Sequence, residues 1–169
     1  KNNRTVGKLF SLSANMPEFI KKFPDCKILY IIRDPLSVIP SGLSLVTGVL
    51  DKKFGFWSQS EEKRTRFIKR LYTGLVDLLL RFHSDWVNGK IDNTRLMLVP
   101  FDRMMYDFDK LMIEITDFID HPLTEKFHKD IQETAEKQRN FKSGHKYDLE
   151  KFGLTEEMIM KDCKPIYDT

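Results

Sequence analysis

Arg33 and Ser41 are the residues of this 169-residue sequence whose types and spacing most directly suggest chemistry. Arg33 follows the apolar run KILYII and precedes Asp34 and Pro35, so it falls where a strand hands over to a helix. A planar guanidinium that is always charged and offers five donors suits phosphate oxygens. Ser41 stands eight residues later, just over two helical turns on, and its hydroxyl approaches the same anion if Pro40 bends the helix. A structural reading competes with this one: Arg33 pairs with Asp34 while the Asp34 carboxylate caps the helix. Spacing alone leaves both open. The turn-like run FKSGHKY gathers Lys142, Ser143 and His145, which residue type alone assigns to a solvated loop.

The elements that must position Arg33 can be read from periodicity. Val6 to Lys22 has apolar residues at roughly helical spacing in spite of Pro17, and stops at the breaker FPDC. Lys27 to Ile32 is short, β-branched and nearly all apolar, which predicts a strand buried on both faces of a parallel sheet. Asp34 then supplies an N-cap and Pro35 a first helical residue. Glu61 to Asn88 predicts a long amphipathic helix, and Arg95 to Pro100 a second buried strand. Helices are expected from about Phe108 to Asp120, from Leu123 to about Gln138, and from Thr155. Strands separated by helical crossovers give an α/β fold, a parallel sheet flanked by helices. In such sheets ligands bind beyond the carboxyl ends of the strands, where helix N-termini present free N–H groups.

Four blocks of the sequence resemble the sulfotransferases, in particular their broad bacterial-type branch. IIRDPLSVIPSGLSL is similar to the family's RDP...S element; KNNRT followed by FPDCKILYIIRDP resembles its KNxxN...FPDAKFIxIxRDP pattern. VPFDRMMYDFDKLMIEITDFI and FKSGHKYDLEKFGLTEEMI resemble two further stretches in family order. The resemblance implies a P-loop-NTPase-like fold, seen here in part, with residues 1–169 as a single domain. It implies 3'-phosphoadenosine 5'-phosphosulfate as donor, with Arg33 and Ser41 on its 3'-phosphate and Lys142, Ser143 and His145 closing over it. Lys1 would be the catalytic cation near the bridging oxygen. Such a protein moves a sulfuryl group to a hydroxyl or amine on a small-molecule, glycan or lipid acceptor, chemistry that requires no metal.

The sequence departs from the family pattern at three places. Asn3 occupies the position of a histidine base and accepts no proton near neutral pH, so the base is unassigned. The family's YED reads Phe101, Asp102, Arg103 here, which removes a tyrosine hydroxyl from the adenine. The family's Gly/Ser/Thr-rich 5'-phosphosulfate loop would precede Lys1, so the chain holds half of a donor site. Two other classes remain open: a nucleotide-binding homologue without catalysis, and a kinase-like phosphotransferase using ATP and magnesium.

Composition bounds the rest. With 41% hydrophobic and 31% charged residues, a chain of this size buries roughly 70% of its unfolded surface; disorder, collagen and disulfide scaffolds are excluded. The net charge of +3 arises from 28 basic and 25 acidic residues interspersed along the chain, so no nucleic-acid partner is expected. Cys26 and Cys163 lie outside any metal-ligand spacing, which favours a reducing, cytoplasmic setting. No run reaches the ~20 apolar residues of a membrane span. The first residue is Lys1 and the last run, PIYDT, follows a helical pattern closely, so a longer parent protein is expected. His83, His121 and His128 read as packing or surface residues, and Met97, Met104, Met105 and Met112 as core filling. Residues 46–60, with Phe54, Phe56 and Trp57, hint at an apolar or ring-bearing acceptor.

Overall fold

Pro17 begins the first helix rather than interrupting a longer one. In the computed structural model, which describes residues 5–140 and 148–168, a short 3-10 turn at Leu12–Ala14 leads into α1 (Met16–Lys22), with Pro17 in the first turn. Proline has no N–H to donate, and in the first turn of a helix none is needed. Val6 and Phe10 are 96% and 77% exposed, so the apolar residues expected to begin the helix bury nothing that would offset ordering them, whereas Leu12 packs against the sheet cluster from the 3-10 turn.

Strands β1 (Ile28–Ile32) and β2 (Leu96–Pro100) pair in parallel, in register from Ile28 opposite Leu96 to Ile32 opposite Pro100. Between them run α2 (Pro35–Phe54) and the 27-residue α3 (Glu61–Val87), about 40 Å long at 1.5 Å per residue. After β2 come α4 (Phe101–Tyr106), α5 (Phe108–Phe118) and α6 (Glu125–Arg139), then α7 (Glu156–Asp162) and α8 (Lys164–Tyr167). The result is a helix-rich α/β arrangement. α2 runs unbroken through Pro40 to Gly55, whose φ of 61° ends it in the left-handed region that glycine adopts at no steric cost.

Two apolar clusters hold these elements, and α3 contributes to both. Ile39 and Leu43 of α2 pack with Ile68, Tyr72 and Val76 of α3 and with Phe152, Ile159 and Cys163 of the C-terminal segment. The other cluster seats the sheet: Ile28 and Leu96 meet Met16, Ile20, Phe82 and Ile91, and the Tyr30 ring stacks on Phe82 with centroids 3.4 Å apart. Each such fully buried aliphatic or aromatic side chain stabilises the fold by about 1.5–3 kcal/mol. α2 and α3 pack closely at Gly42, where an added Cβ would lie 3.0 Å from the Leu75 side chain.

The expectation that β1 is buried on both faces fails. Leu29 and Ile31 are 41% and 52% exposed, although Val99, the partner of Ile31 in the register, is buried. An all-apolar run fixes the type of element, but not how many layers cover it. The four methionines read as core filling are half-buried; Met16 is the methionine that sits inside a cluster.

Candidate functional site

The register of the sheet places Arg33 beside Phe101. Ile32 and Pro100 are paired Cα partners at the carboxyl edge, and Arg33 and Phe101 are the next residues along their chains. The Arg33 guanidinium carbon lies 4.3 Å from the Phe101 ring centroid, a cation–π contact that contributes about 0.5–1 kcal/mol at a partly exposed site. The aromatic face orients the planar guanidinium and leaves its in-plane N–H donors available.

Asp34 is engaged elsewhere. Its Oδ1 accepts the Leu36 N–H at 2.8 Å, capping α2, and the Tyr167 hydroxyl at 2.8 Å. Among the described residues no carboxylate forms an ion pair with Arg33. The competing structural reading is therefore half right: Asp34 caps the helix but does not neutralise the arginine. Free N–H groups expected at this helix start are also spoken for. Pro35 has none, Leu36 is capped, and Ser37 and Val38 donate to the Asp34 carbonyl at 2.8 and 2.9 Å. An anion at this edge must be held by side chains.

Tyr167 reaches Asp34 across 133 residues of sequence. Burial pushes its phenol pKa well above the usual value, and the hydrogen bond to the Asp34 carboxylate raises it further. A parallel contact fastens the same segment to α3, where the Tyr72 hydroxyl donates to Asp162 Oδ2 at 2.7 Å. Burial, followed by the bond to Asp162, likewise raises the Tyr72 phenol. Between them Cys163 is fully buried, and desolvation pushes its thiol up to about 11, with Asp162 and Asp34 adding to the shift. Sequence reasoning missed both tyrosines; a helical run rich in aromatic and acidic residues carries no signal of such distant partners.

Two other arginines, one at each end of β2, show the contrast. Arg103, at a position where the family pattern has a carboxylate, binds both oxygens of Glu114 at 2.7 Å and Asp107 at 3.0 Å. Those bonds hold the Arg103 guanidinium firmly charged, Glu114 contributing most, and hold the Glu114 carboxyl below its usual range. Arg95 donates to the carbonyls of Ile20 (3.1 Å), Cys26 (3.3 Å) and Phe23, tying the turn between α1 and β1 to the start of β2. Both are consumed in structure, whereas Arg33 is not.

Ser41 lies half-buried in the second turn of α2. Lys1, Asn3, Lys142, Ser143 and His145 lie outside the described residues. Asp102 stands exposed in the first turn of α4. No group of three or more metal-ligating side chains occurs among the described residues, and none of their helices is long and apolar enough to cross a membrane.

A family model described as "Sulfotransferase family" matches residues 1–125, a span that includes Arg33, Ser41 and Phe101 and ends as α6 begins. No curated protein and no solved structure gives a match to the chain.

Proposed function

The chain belongs to the sulfotransferase family, and from that premise we propose that it binds 3'-phosphoadenosine 5'-phosphosulfate and passes the sulfuryl group to a hydroxyl or amine. The observation that carries the reading is the Arg33 guanidinium at the carboxyl edge of the sheet, stacked on Phe101 with no carboxylate partner among the described residues. A charged group kept from its adjacent aspartate and held by a ring suits an external anion better than an internal pair.

In this reading Arg33 and Ser41 hold the 3'-phosphate. Ser41 lies six residues into α2 from Pro35, a rise of about 9 Å, with Arg33 two residues before that helix start, a span which an extended arginine and a phosphate between them can bridge. Lys142, Ser143 and His145 add donors over the same group, each charge-assisted contact contributing roughly 1.5–3 kcal/mol. Lys1 neutralises charge that develops on the leaving phosphate, and the 5'-phosphosulfate is bound by a P-loop-like turn in residues preceding it. The donor supplies an activated sulfur; the residues of this chain bind, orient and neutralise. Residues 1–169 are read as one domain, since α3 is shared by both apolar clusters. Two free cysteines fit a cytoplasmic setting, and the acceptor is a small molecule, glycan or lipid.

The test is transfer by the full-length protein containing this sequence, with labelled donor and a panel of hydroxyl and amine acceptors, in the presence of a chelator. Sulfated product should form without metal, and Arg33→Ala should lower turnover at limiting donor by about 10- to 100-fold. Strict magnesium dependence with transfer from ATP would replace this reading by a kinase-like one.

A further inference from the structure

A cleft of about 680 Å³ opens between the Gly55 turn and α3 on one side and the C-terminal segment on the other. It is within the size range that encloses small organic ligands. Its wall is aromatic: Trp57 and Phe152 line it with ring centroids 6.3 Å apart. Trp57 is fixed at both ends of its peptide, its N–H donating to Asp51 Oδ1 at 3.0 Å and its carbonyl accepting from Arg64 Nη1 at 2.6 Å. Gly55, at φ 61°, makes the turn that presents it, and a Cβ there would lie 2.9 Å from the Ser58 hydroxyl.

The rim is cationic. Arg64, Lys69 and Lys151 line the cleft, and none of them forms an ion pair with a described carboxylate. The Lys151 amine sits 4.4 Å from the Trp57 ring centroid, so the ring holds a positive charge at the mouth. Two acidic residues, Glu61 and Asp162, line the cleft against these three basic ones, so its lining keeps a net charge of +1. Asp162 accepts the Tyr72 hydroxyl, and Glu61 lies in the first turn of α3, where it faces the positive end of that helix. An aromatic wall under a rim of net positive charge complements a flat ring that bears an anionic group.

We propose that this cleft binds a ring-bearing small-molecule anion, an aryl sulfate or aryl carboxylate, with the ring along Trp57 and Phe152 and the anionic group at Lys69 and Lys151. The proposal does not rest on the donor reading, because Arg33 is not part of the cleft.

The test follows the indole N–H resonance of Trp57 by NMR. This sequence has two tryptophans, and the signal lost in Trp57→Phe assigns it. The probes are 2-naphthyl sulfate, 2-naphthoate and uncharged 2-naphthol. Both anions should shift the Trp57 signal saturably, and the naphthol should bind at least about ten-fold more weakly, as expected when several rim charges act together. Preference for the sulfate over the carboxylate, or the reverse, distinguishes the two sources of the anion. Lys69→Glu combined with Lys151→Glu should lower anion affinity by at least about ten-fold; both side chains are exposed, and unchanged circular dichroism confirms the fold. Arg33→Ala should leave this binding unchanged even where it weakens nucleotide binding. Equal binding of naphthol and naphthyl sulfate, no saturable shift at millimolar ligand, or indifference to the double charge reversal would overturn the proposal.

Discussion

Asp34 should be coupled energetically to Tyr167 and not to Arg33, and a pair of double-mutant cycles measures both couplings. Asp34→Ala removes the N-cap of α2, which costs about 1 kcal/mol. It also removes the acceptor of the Tyr167 hydroxyl, a bond at 2.8 Å between partly exposed groups that contributes about 1 kcal/mol. The expected destabilisation is about 2 kcal/mol. Asp34→Asn should cost far less, since asparagine caps as well as aspartate and still accepts the phenol. In the cycle of Asp34→Ala with Tyr167→Phe the coupling should be about 1 kcal/mol, because the contact is direct. In the cycle with Arg33→Gln it should vanish within error, whereas a surface ion pair would give about 0.2–1 kcal/mol. Urea unfolding at constant m value supplies each free energy. A coupling to Arg33 equal to or larger than that to Tyr167 would refute the reasoning, and would return Arg33 to an internal ion pair.

Further predictions follow from neighbouring contacts. Cys163 has its pKa raised from 9.0 to about 11 and Tyr30 from 10.0 to about 12, in both cases chiefly by burial. The folded state thus holds protons that the unfolded state releases, so stability should be flat to about pH 8.5 and fall above pH 9; urea midpoints across pH 7–11 check this, and Cys163→Ala should delay the onset. Arg95→Ala strips donors from the carbonyls of Ile20, Phe23 and Cys26 and should destabilise by about 2–3 kcal/mol in the same assay. Arg95→Lys should not restore it, since one ammonium does not reproduce the fork. Phe101→Ala should weaken adenosine 3',5'-bisphosphate binding about two- to five-fold in calorimetry by releasing Arg33 from its ring, while Phe101→Tyr should leave it unchanged.

Much of the frame was legible because it is local. The apolar run before Arg33, the Asp34–Pro35 helix start and the stripe of α3 all report themselves through spacing, and they put Arg33 at a strand end. What gives Arg33 its character is not local. The Phe101 contact depends on the parallel register of two strands 68 residues apart, and the diversion of Asp34 depends on a tyrosine near the other end of the chain. The separate turn of helix in α4 escaped because FDRMMY has no clear apolar period; Arg103 fastens it to α5 through Glu114. Exposure of Leu29 and Ile31 was illegible for a related reason, as a strand's composition does not record whether a further layer lies over it.

The most direct test of the central claim is calorimetric binding of adenosine 3',5'-bisphosphate and of 5'-AMP, to the full-length protein containing this sequence and to its Arg33→Ala variant. The two ligands differ only in the 3'-phosphate. The bisphosphate should bind about 10- to 100-fold more tightly, and Arg33→Ala should remove most of that difference. Equal affinity for the two ligands in a folded protein, or a preference that persists without the Arg33 guanidinium, would contradict that claim.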